Sequence, residues 1–173
     1  AHPDVITTAD NWKNFHAMVL ASLLGEADKD IDNLITTKVK PENVIFAGID
    51  DSREFDRVVY KKYNFKNFTT EEFQKNGDKI VKELKNRKIK NVIVHFDLDV
   101  LNLYEFNSQY FAEPEIFDKY KHEFPVGAKI STVSKLINDV NDNFNLIGLG
   151  ITEHLPWAAI KLAKLLRELP LIK

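Results

Sequence analysis

The stretch Asn91–Asp99, NVIVHFDLD, decides the fold, because a short apolar run ends there in two carboxylates. Its apolar part, Asn91–Phe96, is rich in Val, Ile and Phe and is nearly continuous, which is typical of a parallel strand covered on both faces. Two further segments have the same character, Asn43–Ile49 (NVIFAGI) and Asn145–Ile151 (NLIGLGI). We therefore predict three buried strands.

Helical patterns lie between the predicted strands. They cover Asn14–Leu24, Ser52–Lys62, Asp78–Arg87, Ser131–Val140 and Pro156–Glu168. Gly25 is placed to end the first helix, and the polar stretch Ala27–Lys40 is predicted to be a loop with one weak helical turn. Leu101–Pro125 is aromatic and acidic and indicates a long excursion from the sheet. Strands alternating with helices predict an α/β fold with a mainly parallel sheet.

Composition narrows the function classes. The chain has 173 residues, 44% of them apolar, with a formal net charge of −2 and no cysteine. The balance of charge argues against a nucleic-acid binder, and no apolar run is long enough to span a bilayer. The absence of cysteine excludes disulfides, thiolate metal sites and cysteine nucleophiles. We expect a cytoplasmic protein that binds neither nucleic acid nor membranes, and any metal site must use His, Asp and Glu.

Carboxylates follow each of the three predicted strands. They are Asp50 and Asp51, then Asp97 and Asp99, then Glu153. Ligands of open α/β sheets bind beyond the carboxyl ends of the strands, so this pattern indicates a cation or a cationic ligand. Chance is the alternative, because Asp also favours turns and helix starts.

Asp97 and Asp99 form the strongest local signal. Two residues apart on an extended strand, they would point to the same side. Two like charges so close need a positive partner, and a divalent cation bound by oxygen ligands is the usual one. The alternative is a loop start in which one carboxylate caps a helix.

The remaining candidate site residues are histidines and the carboxylates Asp4 and Glu153. His2 and Asp4 are spaced to turn toward one site, although an H-x-D triplet alone is a weak motif. His16, at the start of the first predicted helix, could move protons or form a structural hydrogen bond. His95 is expected on the face opposite to the Asp pair, as a packed strand histidine. Glu153 could serve the cleft, lie on the surface or cap the last helix.

In order along the chain, these motifs resemble the arginase–agmatinase–formiminoglutamase (ureohydrolase) family. Ala1–Asp4 matches the family segment D-A-H-x-D from its second residue, and Asn14–Met18 matches N-x-H-G-M with Ala for Gly. His95–Leu103 keeps the two central Asp of S-x-D-x-D-x-x-D-P, and Ile151–Pro156 keeps the Glu and Pro of E-x-N-P. Phe46–Asp51 is similar to a family strand exit that ends in R-D, with Asp50 for Arg.

The resemblance implies a three-layer αβα fold and hydrolysis of a guanidino or formimino C–N bond by a hydroxide that bridges two Mn²⁺ ions. By motif position, His16 would carry the proton to the leaving amine, Glu153 would hold the cationic group, and Asp51 would lie near the substrate. The metal ligands would be His2, Asp4, Asp97 and Asp99. The implied partner is a small cationic guanidino or formimino substrate, and a homo-oligomer is also implied, since the family often forms trimers or hexamers.

The departures from the family pattern lead to three further expectations. The pattern also requires a His from an upstream G-G-D-H segment and the Asp before Ala1, so residues 1–173 are expected to be the C-terminal portion of a single catalytic domain that exposes one side of its sheet. Asn102 and Leu103 replace the family Asp and Pro, which alters the surroundings of the Asp pair. Ile6 stands where arginases carry an Asn that reads the substrate carboxyl group, which argues against L-arginine.

Two alternatives to a ureohydrolase remain open from the sequence. The first is a degenerate, non-catalytic member of the same fold that acts as a binding or regulatory protein, as the motif departures suggest. The second is another metal hydrolase of a related fold, such as a deacetylase-like amidohydrolase. The chain lacks the His-His pair that deacetylases use.

Overall fold

A computed structural model of the chain describes residues 1–5, 14–49, 61–107, 109–113, 116–118, 127–155 and 159–172. The chain divides into two compact units, His2–Phe68 and Thr69–Lys173. In the part of the chain that is described, no helix has both the length and the apolarity needed to cross a membrane. Asp50 and most of the predicted helix Ser52–Lys62 lie outside the described residues.

The unit His2–Phe68 contains a pair of short parallel strands. Strand β1 (Ile45–Ala47) pairs with β2 (Lys66–Phe68), with Ile45 opposite Lys66. Helices α1 (Val19–Leu24) and α2 (Lys29–Asp32) precede β1. The strand predicted over Asn43–Ile49 is thus confirmed in its centre, and β2 was not predicted from the sequence.

Local residues explain where the first helices begin and end. The predicted helix over Asn14–Leu24 starts as a 3₁₀ helix, Phe15–Met18, and continues as α1. Gly25 ends it in the left-handed conformation at φ 81°, as predicted, because glycine has no Cβ to clash there. The Asp28 carboxylate accepts a hydrogen bond from the Asp30 backbone N–H at 2.9 Å and so caps α2, the weak turn expected in the polar loop.

The apolar core of this unit joins the chain start to the sheet. Val5 and Phe65 are buried, and the partly buried side chains packed against them are Leu20, Leu24, Val44, Phe46 and Tyr63. The rings of Phe46 and Phe65 meet edge to face with centroids 5.2 Å apart, a favourable arrangement for two aromatic side chains. This packing fixes the segment that carries His2 and Asp4 within its own unit.

The unit Thr69–Lys173 is built on a second parallel pair of strands. Its elements are α3 (Thr70–Lys75), α4 (Asp78–Asn86), β3 (Asn91–Asp97), α5 (Ile130–Asn143), β4 (Asn145–Thr152) and α6 (Ala159–Leu166). Helix α5 contacts both α4 and β4. The predicted strands and helices of this unit are confirmed, and Pro156 lies outside the described residues. Parallel strands joined through helices confirm the α/β class.

Helix α3 was not predicted, although the residues at its start form a recognisable helix cap. The Thr69 hydroxyl accepts a hydrogen bond from the Glu72 backbone N–H, and the Glu72 carboxylate accepts one from the Thr69 backbone N–H. This reciprocal pair is a capping box. It satisfies two N–H groups that have no partner inside the helix.

Among the residues that the structure describes, the β3–β4 pair is covered on one face only. Phe96 and Leu146 are buried, whereas Ile93 is 71% and Ile147 57% exposed. The expectation of cover on both faces is wrong, because α5 contacts β4 and the described residues leave the opposite face open.

The pairing of β3 with β4 contains one β-bulge. Val92 pairs with Leu146 and Ile93 with Gly148, so Ile147 is the additional residue. Beyond the bulge the register is regular as far as the last pair, Asp97 opposite Thr152. The bulge therefore sets which β4 residue stands beside the end of β3.

The excursion after β3 returns to the strand exit. Leu101 forms a parallel bridge with Ala128, and the buried Gln109 amide donates hydrogen bonds to the carbonyls of Leu101 and Phe106 at 3.1 and 3.0 Å. A Cβ at Gly127 would lie 2.4 Å from the Leu101 carbonyl oxygen. Two backbones therefore meet closely just beyond the Asp pair, and glycine permits the approach.

Candidate functional site

The end of β3 holds Asp97 and Asp99 between buried apolar anchors. Phe96 is 3% and Leu98 0% exposed, so the chain on both sides of Asp97 is fixed by packing. A carboxylate oxygen of Asp97 and one of Asp99 lie within 4.8 Å of each other, and both residues are partly buried. Two partly buried carboxylates at this separation form a site of concentrated negative charge that can hold a cation.

The two carboxylates come together by a route different from the predicted one. Strand β3 ends at Asp97, and Leu98–Val100 forms a 3₁₀ turn. Asp97 Oδ1 accepts a hydrogen bond from the Asp99 backbone N–H at 2.8 Å. The assumed extended geometry over Asp97–Asp99 is therefore wrong, because the first carboxylate caps a turn that contains the second. Capping by a carboxylate is the alternative to metal binding in the sequence analysis. In the structure, Asp97 caps the turn and its carboxylate also lies close to that of Asp99.

Asn102 continues this capped chain. Its Oδ1 accepts hydrogen bonds from the backbone N–H groups of Tyr104 and Glu105 at 2.8 and 3.3 Å. These are acceptor roles that an Asp at this position would also fill. The exchange of Asp for Asn therefore leaves the local turn satisfied.

The end of β4 lies beside the end of β3. Thr152 is opposite Asp97 in the register, and the next residue is Glu153. Glu153 is exposed and has a positive φ of 63°, a conformation that a residue with a Cβ seldom adopts. Backbone strain of this kind concentrates at functional sites. The structure thus brings the predicted Glu153 to the same strand ends as the Asp pair.

His95 differs from its expected place. It is exposed, and its Nε2 lies 3.3 Å from Thr152 Oγ1 in a hydrogen bond across the two strands. Because β3 runs through Asp97, His95 and Asp97 are two residues apart on one strand and share a face. The prediction of a core histidine on the opposite face is wrong for this reason. The sequence placed Thr152 at the exit of the third predicted strand but assigned it no role.

The chain start belongs to the other unit. Asp4 has a positive φ of 52°, and its carbonyl oxygen accepts hydrogen bonds from the backbone N–H groups of Leu20 and Ala21 at 2.9 and 3.1 Å. These donors lie in the first turn of α1, where N–H groups lack partners inside the helix. The backbone of Asp4 is thus tied to α1, while the exposed His2 precedes it.

His16 lies in the 3₁₀ helix before α1. The neighbouring Ala17 and Met18 are buried, whereas His16 is exposed. The imidazole is therefore open to solvent. The remaining predicted residue, Asp51, lies outside the described residues, as does Ile6.

Three comparisons with known proteins found similar sequences or structures. A model of the Arginase family matches residues 1–106. The arginase of Staphylococcus aureus (strain COL) is 35% identical over 94 residues, which cover 51% of this chain and 31% of that protein. The chain therefore spans about a third of the length of that relative.

Solved structures resemble the chain over almost its full length. The arginase of Entamoeba histolytica, in complex with L-ornithine, matches 98% of this chain and 57% of its own with a TM-score of 0.77 at 17% identity. The formimidoylglutamase of Bacillus subtilis matches 96% of this chain and 49% of its own with a TM-score of 0.70 at 18% identity. At these identities the likeness concerns the fold alone.

Proposed function

Because the chain belongs to the arginase family, we propose that it is a metal-dependent hydrolase of a guanidino or formimino C–N bond. The arginase-like α/β fold predicted from the sequence is confirmed by the structural likeness. The observation that carries the proposal is the capped pair Asp97–Asp99, whose carboxylate oxygens approach within 4.8 Å.

The donor set suits the metal that the resemblance implies. Carboxylate oxygens bind Mn²⁺ well, and imidazole is compatible with it. In the proposal, the residues that hold two Mn²⁺ ions in the complete site are His2, Asp4, Asp97 and Asp99. When bound, the ions would provide a nucleophile at neutral pH by lowering the pKa of water. The close approach of Asp97 and Asp99 fits this group, since positive charge between them removes their repulsion.

The other residues act on the substrate in this proposal. Glu153 binds the cationic guanidinium or formimino group through a charge-assisted hydrogen bond. His16, exposed at the start of its helix, transfers a proton to the leaving amine. Asp51 lies near the substrate. The substrate is a small cationic molecule, and Ile6 argues for one other than L-arginine.

The test uses the complete natural protein loaded with Mn²⁺. Metal content is measured together with urea release from arginine, agmatine and guanidino acids, and formamide release from formiminoglutamate. We expect two Mn²⁺ per protein chain and turnover of one substrate class. A protein without bound metal and without turnover on any of these compounds would contradict the proposal and favour a non-catalytic member of the family.

A further inference from the structure

A hydrogen bond links the two strands at the proposed site. His95 stands opposite Gly150 in the register, yet its Nε2 lies 3.3 Å from Thr152 Oγ1, two residues further along β4. The imidazole therefore reaches diagonally along one face of the pair, a distance that long side chains span between neighbouring strands.

Gly150 lies beside this hydrogen bond. A Cβ placed at Gly150 would lie 3.8 Å from His95 Nδ1, so the imidazole lies close over the glycine. His95 on β3 thus lies beside both Gly150 and Thr152 on β4, along the exposed face of the pair.

Glu153 directly follows Thr152 in the chain. Thr152 is the last residue of β4, and Glu153 leaves it with a φ of 63°. A residue with a Cβ keeps this conformation only where its surroundings impose it. The described contacts on Thr152 are the pairing with Asp97 and the hydrogen bond to His95.

We propose that His95 is a positioning residue for Glu153, acting through its hydrogen bond to Thr152. The bond holds the end of β4 so that the Glu153 carboxylate is directed to the cationic group of the substrate. This inference rests on the proposed function, in which Glu153 binds that group.

The kinetic test compares Thr152→Val, which removes the hydroxyl at constant size, with Thr152→Ser, which keeps it. Loss of one hydrogen bond changes binding by about 2- to 10-fold. We expect Thr152→Val and His95→Phe each to raise KM by that factor, with a smaller change in kcat and an unchanged Mn²⁺ content. Thr152→Ser should retain the wild-type KM. The double variant should be no worse than either single variant, because both remove the same bond.

A second measurement does not depend on catalysis. Backbone ¹³C and ¹⁵N chemical shifts of Glu153 report its conformation, and we expect them to change in Thr152→Val and His95→Phe but not in Thr152→Ser. If the wild-type protein has no turnover, the proposed function fails and these shifts still decide the positioning role. Unchanged Glu153 shifts, or additive effects of the two substitutions on KM, would overturn the inference.

Discussion

The Asp97 carboxylate accepts a hydrogen bond from the backbone N–H of Asp99 at 2.8 Å, so the first acidic side chain positions the second. The bond closes the turn that follows β3 and keeps the two carboxylates close together. A requirement of local folding and the proposed metal site are therefore met by the same side chain. The two requirements can be separated by substitution.

Asp97→Asn should separate them, because Asn keeps an acceptor oxygen for the turn but loses the negative charge. We expect Mn²⁺ binding to weaken by at least 10-fold, with little change in the thermal unfolding temperature. Isothermal titration with Mn²⁺ and circular dichroism measure the two effects. Asp139→Asn is the matched control, since Asp139 forms an exposed ion pair with Lys135 on α5. Equal Mn²⁺ affinity in both variants would exclude Asp97 from the metal site.

His16→Ala should lower turnover without loss of metal. General acid–base catalysis contributes about 10²- to 10⁴-fold, and we expect a fall in kcat within this range. Steady-state kinetics and metal analysis provide the measurement, and added imidazole should restore part of the rate. Unchanged kcat would remove His16 from the mechanism.

Gly127→Ala should destabilise the turn region beyond the Asp pair. The added Cβ would meet the Leu101 carbonyl oxygen at 2.4 Å, and such overpacking costs about 1–3 kcal/mol in the free energy of unfolding. Gly77→Ala is the control, because Gly77 has a φ of −62° and the nearest atom to its Cβ is 3.6 Å away. Urea denaturation should find the control as stable as the wild-type protein or slightly more so. Similar losses in both variants would contradict the close approach.

A surface cluster in the other unit predicts a pH dependence. Lys62 Nζ donates to Glu26 Oε2 at 2.6 Å, and the Tyr63 hydroxyl donates to the same oxygen. The Lys62 ammonium and the Tyr63 hydroxyl lower the pKa of Glu26 below its ordinary value of 4.5, and Glu26 raises the pKa of Lys62 to about 12. The stabilisation from Glu26 is present above pH 4.5 and is lost as the pH falls through its lowered pKa. The stabilisation from Lys62 is present below its ordinary pKa of 10.5 and is lost as the pH rises through a pKa of about 12.

Lys62→Met should therefore reduce the free energy of unfolding between about pH 6 and 9. The reduction should stay below about 1 kcal/mol, because both side chains are half exposed. Urea denaturation across the pH range, with Lys82→Met on the exposed surface of α4 as control, measures the effect. A difference from the wild-type protein that persists undiminished at pH 2 would contradict this account.

Continuous apolar runs and glycine made much of the fold predictable. Asn91–Phe96 and Asn145–Ile151 appear as strands within one residue of their predicted ends, and Gly25 ends its helix as expected. Strand β2, Lys66–Phe68, has no apolar run, and pairing with β1 holds it as a strand. Tertiary contacts of this kind leave no local pattern in a sequence.

The site was predictable in residue type more than in geometry. Asp97, Asp99 and Glu153 do gather at neighbouring strand ends, as parallel pairing requires. The turn at Asp99 and the contact of His95 with Thr152 depend on where β3 ends and on the bulge in β4. Neither feature follows from the spacing of the motif residues.

The bulge at Ile147 gives the two strands unequal tolerance to changes in length. From the first pair to the last, β4 uses one residue more than β3, and Ile147 takes up the difference. A deletion of Ile147 would leave Asp97 opposite Thr152 in an unbroken ladder, whereas a deletion inside β3 would need a second bulge or a shifted register. Deletions during the evolution of this chain are therefore expected to be accepted at Ile147 of β4 and rejected inside β3.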